Sequence, residues 1–243
     1  MARKTIFDDD RYPDFVARYH ADPLRFAVDV CGFYPSMDQE KLFWAIVPKT
    51  AKVSVVSGTG TGKTTAVARI ALWHMLCHPV ALYEGKVEIG SNTYIGAPKL
   101  EQVAAGVWKE ASDARLAIAN GAFSWLNDYY TITKTRISVN GFEDQWFIAQ
   151  VALAKGESVG IAGKHREAQM IIVDEAAGVP DGHFDVIDGT QTQSRNRTIM
   201  LSQGVRNAGR FYDSHHTLSA KAGGSWTNLR FNSETSPFVT LQW

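Results

Sequence analysis

The 243 residues, 45% of them hydrophobic and without a block of low complexity, suffice to bury a substantial core as one large domain or as one domain with a small appendage. The 25 basic residues balance 25 acidic ones, which excludes a protein that coats nucleic acid by bulk charge and leaves only local contacts. The longest apolar stretches, such as Ala66 to Leu76, are interrupted by charged or polar residues (here Arg69 and His74) and fall short of the roughly 20 residues of a membrane span, so no membrane partner is expected. The start Met1-Ala2-Arg3-Lys4 leads into Asp8-Asp9-Asp10 without an apolar run, unlike a secretory signal, and a cytoplasmic, reducing setting follows. Cys31 and Cys77 lie in apolar surroundings at no metal-ligand spacing and read as buried free thiols.

The first forty residues read as short helices, with apolar spacing at Phe15, Val16 and Tyr19 and again at Leu24, Phe26, Ala27 and Val30, punctuated by Pro13, Pro23 and Pro35. From Ala51 the pattern changes to short apolar strands, Val53 to Val56, Thr93 to Ile95, Met170 to Val173 and Thr198 to Leu201, of the kind buried on both faces of a parallel sheet. Helices are expected after Gly62 and from Leu100 to Ala119. Thr131 to Val139, Asn140-Gly141 and Gln145 to Ala152 read as a β-hairpin, because Asn-Gly adopts positive φ readily. The expected fold is α/β: a mainly parallel central sheet flanked by helices, an added antiparallel hairpin and a small N-terminal helical region. No linker marks a boundary, and the division is drawn as an N-terminal helical region, 1–48, and a P-loop ATPase core, 49–243.

Ser57-Gly58-Thr59-Gly60-Thr61-Gly62-Lys63-Thr64 follows one of these strands and opens a helix, the context a phosphate-binding loop requires. Small residues let successive N–H groups converge on phosphates, and the helix N-terminus adds its positive end. Lys63 reaches the β- and γ-phosphates, Thr64 is a Mg²⁺ ligand, and Thr65 continues the ATP contacts. The strict pattern has Gly where Ser57 stands, so the loop is a variant form. Met170 to Val173 then ends in Asp174-Glu175, which delivers two carboxylates to the crevice end of the sheet. Asp174 is assigned to the metal and Glu175 to polarising the attacking water. Between Asp188 and Asp213 no acidic residue occurs, while Arg195, Arg197, Arg206 and Arg210 do. That stretch is either a solvated face or a phosphate-facing surface.

These motifs, in this order, resemble the N-terminal packaging ATPase of the large terminase subunits of tailed phages. Upstream of the loop, Gln39 in Met37-Asp38-Gln39-Glu40 resembles the glutamine that reads adenine in that family. Ala97-Pro98-Lys99-Leu100, Gly160-Ile161-Ala162-Gly163-Lys164-His165 before Asp174-Glu175, Leu201-Ser202-Gln203-Gly204 and Ser236-Pro237-Phe238-Val239 resemble further family motifs, Gln203 standing where a γ-phosphate sensor is expected. The resemblance implies an ATP-hydrolysing, Mg²⁺-dependent motor that moves double-stranded DNA into a procapsid. It further implies a homo-oligomeric ring, the capsid portal and the terminase small subunit as partners, and the cytoplasm of the infected host cell as setting. Many terminases carry an arginine inside the loop where this chain has Thr59 and Thr61, so Arg166 or Arg136 is expected to supply that charge, in the same chain or to a neighbouring subunit. No acidic cluster follows before Trp243, so no nuclease activity is expected and the chain reads as part of a longer protein. Two other readings remain open: the first motor domain of a superfamily 2 helicase, and a portal-docking module that binds ATP without turning it over.

Overall fold

A computed structural model describes residues 4–156 and 160–239; the Met1-Ala2-Arg3 start and the Trp243 end lie outside them. Three short helices open the chain, α1 Tyr12–Tyr19, α2 Pro23–Asp29 and α3 Met37–Ala45. Pro13 and Pro23 stand at helix starts, where a missing N–H costs nothing. Strand β1 Lys52–Ser57 leads through the glycine-rich loop into α4 Lys63–Cys77, whose residues from Ala66 to Cys77 are all buried. A helix apolar on every side belongs inside a protein, and α4 is the central helix against which α1, α2 and α3 pack.

A separate hairpin of β2 Val80–Tyr83 and β3 Lys86–Ile89 turns at Glu84-Gly85, both with positive φ. The sheet strand β4 Asn92–Ala97 follows, then one helical run of α5 Leu100–Val103, a π-helical stretch Ala104–Trp108 and α6 Lys109–Ala119. Next come β5 Tyr130–Ile132, β6 Arg136–Val139, β7 Phe147–Ala152, β8 Ala168–Val173, α7 Asp181–Thr190, β9 Arg195–Ser202, α8 Arg210–His215 and β10 Trp226–Phe231. The eight-stranded sheet runs β10-β1-β9-β8-β4-β7-β6-β5, parallel from β10 to β7 and antiparallel at β6 and β5. The expected hairpin is present as β6 and β7, but its first strand is broken after Ile132, so β5 pairs back on β6.

Both faces of the sheet are covered, as the continuous apolar strands require. Met170 and Ile172 of β8 join Val53, Val55 and α4 in one core, which the helices of residues 6–45 share. Ile171 and Val173 point the other way, to Phe184 and Ile187 of α7 and Phe211 of α8. Cys31 and Cys77 are free and buried, and burial pushes the Cys31 thiol up to about 12. Among the described residues, no helix is long and apolar enough to cross a membrane.

Candidate nucleotide site

Because β1 and β9 run parallel with Val56 opposite Ser202, both end at the same level, and their loops meet. Gln203 accordingly donates from Nε2 to Thr59 Oγ1 at 3.4 Å, so the expected phosphate sensor touches the glycine-rich loop. Gly60 and Gly62 hold φ of 73° and 70°, a backbone that a side chain would strain, and Gly62 caps α4 directly before Lys63. Asp174 keeps the parity of Met170 and Ile172 and so leaves β8 on the α4 side. Glu175 then turns back with φ 51°, an uncommon conformation for a residue with a Cβ, and its carboxylate lies 3.8 Å from Lys63 Nζ.

Asp174 is only 5% exposed, and the one described hydrogen bond to its carboxylate comes from Glu175 N–H at 3.0 Å. Burial raises its pKa, Lys63 lowers it and Glu175 raises it further. A buried carboxylate with so few donors fits a cation. The π-helical stretch brings Gly106 against the same spot, where a Cβ would lie 3.2 Å from Thr64 Cγ2 and 4.0 Å from Asp174 Oδ2. Thr64 and Asp174 therefore flank one point. Among the described residues no group of three or more His, Cys, Asp or Glu could hold a metal, and the Thr64 hydroxyl with the Asp174 carboxylate is a hard-oxygen pair of the kind that would suit Mg²⁺.

Gln39 departs from expectation. It is fully buried: its Oε1 accepts from Ser36 N–H at 2.8 Å and its Nε2 donates to Gly62 O at 2.8 Å. The amide thus braces the loop backbone instead of facing a base. Two serines brace the loop from outside, Ser233, which no sequence motif marked, and Ser236 of the Ser236-Pro237-Phe238-Val239 stretch. Ser233 Oγ donates to Thr59 O at 2.9 Å and Ser236 Oγ to Gly60 O at 3.5 Å, with Phe238 against Gly62. A slot of about 630 Å³ lined by Pro35, Ser36, Met37, Thr61 and Phe231 opens beside them.

The expected arginines are elsewhere. Arg166 precedes β8 at the opposite end of the sheet, bound to the carbonyls of Ile89, Gly90 and Gln145 and paired with Glu88, so it does not serve this chain's own site. Arg136 sits on β6, toward the far edge, bonded to Glu143 O and lying over Phe147. The acid-free stretch is divided as well. Arg195 donates to Val80 O, while Arg197 is buried, donates to the carbonyls of Ile46, Val47 and Pro48, and is pulled down to about 10 by burial. Arg210 is held by Asp185 and Asp188. Of these four arginines, only Arg206 faces solvent at the site's end of the sheet.

No protein-family model matches the chain. A probable terminase large subunit of Enterobacteria phage P7 is 33% identical over 98% of the chain, which spans about half of that relative's length (47%). Among solved structures, a large terminase ATPase domain of Thermus phage P74-26 superposes with TM-score 0.59 at 13% identity, over 87% of this chain and 86% of that one. The large terminase of bacteriophage HK97 gives 0.61 at 17% identity, over 92% of this chain and 46% of that one. That of a thermophilic bacteriophage, in complex with ADP, gives 0.60 at 10% identity, over 84% of this chain and 47% of that one. Over nearly all of its length, then, the chain resembles a phage large terminase subunit in sequence, and its P-loop fold is that of the large terminase ATPase domains.

Proposed function

We propose that this chain is the ATP-hydrolysing motor domain of a viral DNA-packaging terminase. The observation that carries the reading is the meeting of Lys63, Thr64, Asp174, Glu175 and Gln203 at one end of the sheet, although they come from three segments of the chain. Lys63 neutralises the β- and γ-phosphates, and loop N–H groups between Thr59 and Thr65 cradle them, the Gly58 N–H being bonded to Phe231 O. Mg²⁺, held by Thr64 and Asp174, would supply charge neutralisation at the transferred phosphate. Lys63 rests against Glu175. Phosphate draws Lys63 away, leaving the Glu175 carboxylate to orient water. The slot beside Ser36 and Phe231 suits the base, with Gln39 stiffening its floor.

In this reading hydrolysis drives double-stranded DNA into a procapsid in the host cytoplasm, from a homo-oligomeric ring docked on the portal and loaded by the small subunit. The charge that stabilises the transition state comes from a neighbouring subunit, where Arg166 and Arg136 are the candidates. Glu175→Gln tests the catalytic part: ATP should bind almost normally by equilibrium titration, while phosphate release with DNA and procapsids falls on the order of a hundredfold. Normal turnover in that variant removes Glu175 from the chemistry. A wild type that binds ATP yet never hydrolyses it under those conditions favours the docking module.

A further inference from the structure

Next to the phosphate-binding loop lies a second, open slot of about 470 Å³, between the end of β1, the loop after β9, α8 and β10. Its charged walls are Arg206, Lys221 and Arg230, from three separate elements, and no carboxylate lines it. Several cations elsewhere are closed off by carboxylates, Lys52 by Asp188, Arg69 by Glu110, Arg166 by Glu88 and Arg210 by Asp185 and Asp188, and the other exposed cations do not converge on this slot. Arg206, Lys221 and Arg230 form no ion pair among the described residues and are exposed.

The remaining wall is aromatic. Tyr212 and His216 stack with ring centroids 3.9 Å apart, and His215 donates to or accepts from Ser54 Oγ at 2.9 Å. Burial, then His216 and Arg230, lower the His215 pKa, as a positive neighbourhood should. Unpaired cations beside flat rings form a surface suited to a phosphodiester chain, since each cation can take one phosphate and release its counterions.

We propose that this slot binds the phosphate backbone of a nucleic acid, an inference that rests on the packaging reading and names where its DNA would touch. The turn that begins at Gln203 serves both places. Gln203 touches Thr59 of the loop, Gly204 lines the slot, and Arg206 reaches into it. A DNA phosphate held by Arg206 and a nucleotide phosphate sensed by Gln203 would thus act on one short segment.

The test uses the whole chain and a labelled duplex of about 30 base pairs, long enough to offer several phosphates to each cation, with affinity measured by anisotropy over a salt series. Arg206→Ala/Lys221→Ala/Arg230→Ala should weaken binding at least tenfold and flatten the dependence of log K on log salt by about 2 to 3, since each lost phosphate contact accounts for about 0.9. A control, Arg18→Ala/Lys86→Ala/Lys134→Ala, removes equal charge from exposed positions on other faces and should change little. Binding of a fluorescent ATP analogue, which depends on Lys63, reports that each variant is folded. If wild type binds DNA and the slot variant binds equally well with the same slope, the slot is wrong while the packaging reading stands. An equal loss in the control variant also overturns the slot. If wild type binds no duplex, the DNA reading fails and the slot proposal falls with it.

Discussion

The two ends of the parallel sheet treat positive charge in opposite ways. Where the strands begin, Arg197, Arg166 and Arg195 are bound to main-chain carbonyls and hold helices and loops in place. Where the strands end, Lys63 has only a loose 3.8 Å partner, and Arg206, Lys221 and Arg230 have no ion-pair partner among the described residues. A cation with its donors satisfied is architecture; one left open faces whatever anion arrives. The difference lies in strand polarity, since helix N-termini and loop N–H groups gather at the ends of parallel strands.

The largest effect should come from breaking the open end. Lys63→Ala removes the charge proposed to meet the phosphates and frees Glu175, so phosphate release should fall a hundredfold or more. Turnover at the wild-type rate would show that the loop is not where ATP reacts. Breaking the closed end should act on stability instead. Arg197→Met keeps an apolar stem but removes the guanidinium that lies over Trp73 and donates to the carbonyls of Ile46, Val47 and Pro48. A loss of about 3 kcal/mol is expected. It would be read as a lower urea midpoint with nucleotide affinity retained in the folded protein, and an unchanged midpoint would mean that the clamp is idle.

The smallest effect is one of pH and sharpens the same contrast. Burial holds His74 and His78 well below the ordinary value of 6.5; Arg197 adds to the lowering at His74 and the His74 ring at His78. Neither ring nitrogen of His78 meets a hydrogen-bond partner among the described residues. The unfolded chain therefore takes up protons that the folded one refuses. Stability should be level above about pH 6.5 and fall below it, by about 1.4 kcal/mol per pH unit for each histidine once well below that value. Asp174, raised by burial, works in the opposite direction nearer the carboxylate range. A melting temperature that stays level from pH 7 to pH 5 would contradict this account.

Elements whose conformation is set by their immediate neighbours were legible. The glycine loop with Lys63, the apolar run into Asp174-Glu175 and the helical run from Leu100 to Ala119 all declare themselves within a few positions. The arginine stretch misleads because it spans β9: eight residues at about 3.3 Å each carry its two ends to opposite edges of the molecule. β10 escapes because it is an edge strand with Thr227, Asn228 and Arg230 in its middle, so its alternation is diluted. Ser233 carries no local mark, and the loop contacts of both Ser233 and Ser236 exist only once β10 has taken its place beside β1. Gln39 lies against the loop because its Nε2 donates to Gly62 O, a contact between two segments that neither sequence marks by itself.

The position of β1 has a consequence for how the protein comes into being. The strand that carries the phosphate loop is residues 52–57, yet its two neighbours are residues 195–202 and 226–231. A chain emerging from the ribosome at about 5–20 residues per second exposes β1 on the order of ten seconds before either partner is made. Its loop sequence is complete early, but the Gln203 contact, the Asp174 side chain and the braces from Ser233 and Ser236 all come later. On the proposed reading, the nascent chain would therefore hold no working nucleotide site until β10 and the serines after it are out. Pairings so distant in sequence should also make refolding slow, with recovery of nucleotide binding trailing the recovery of helix.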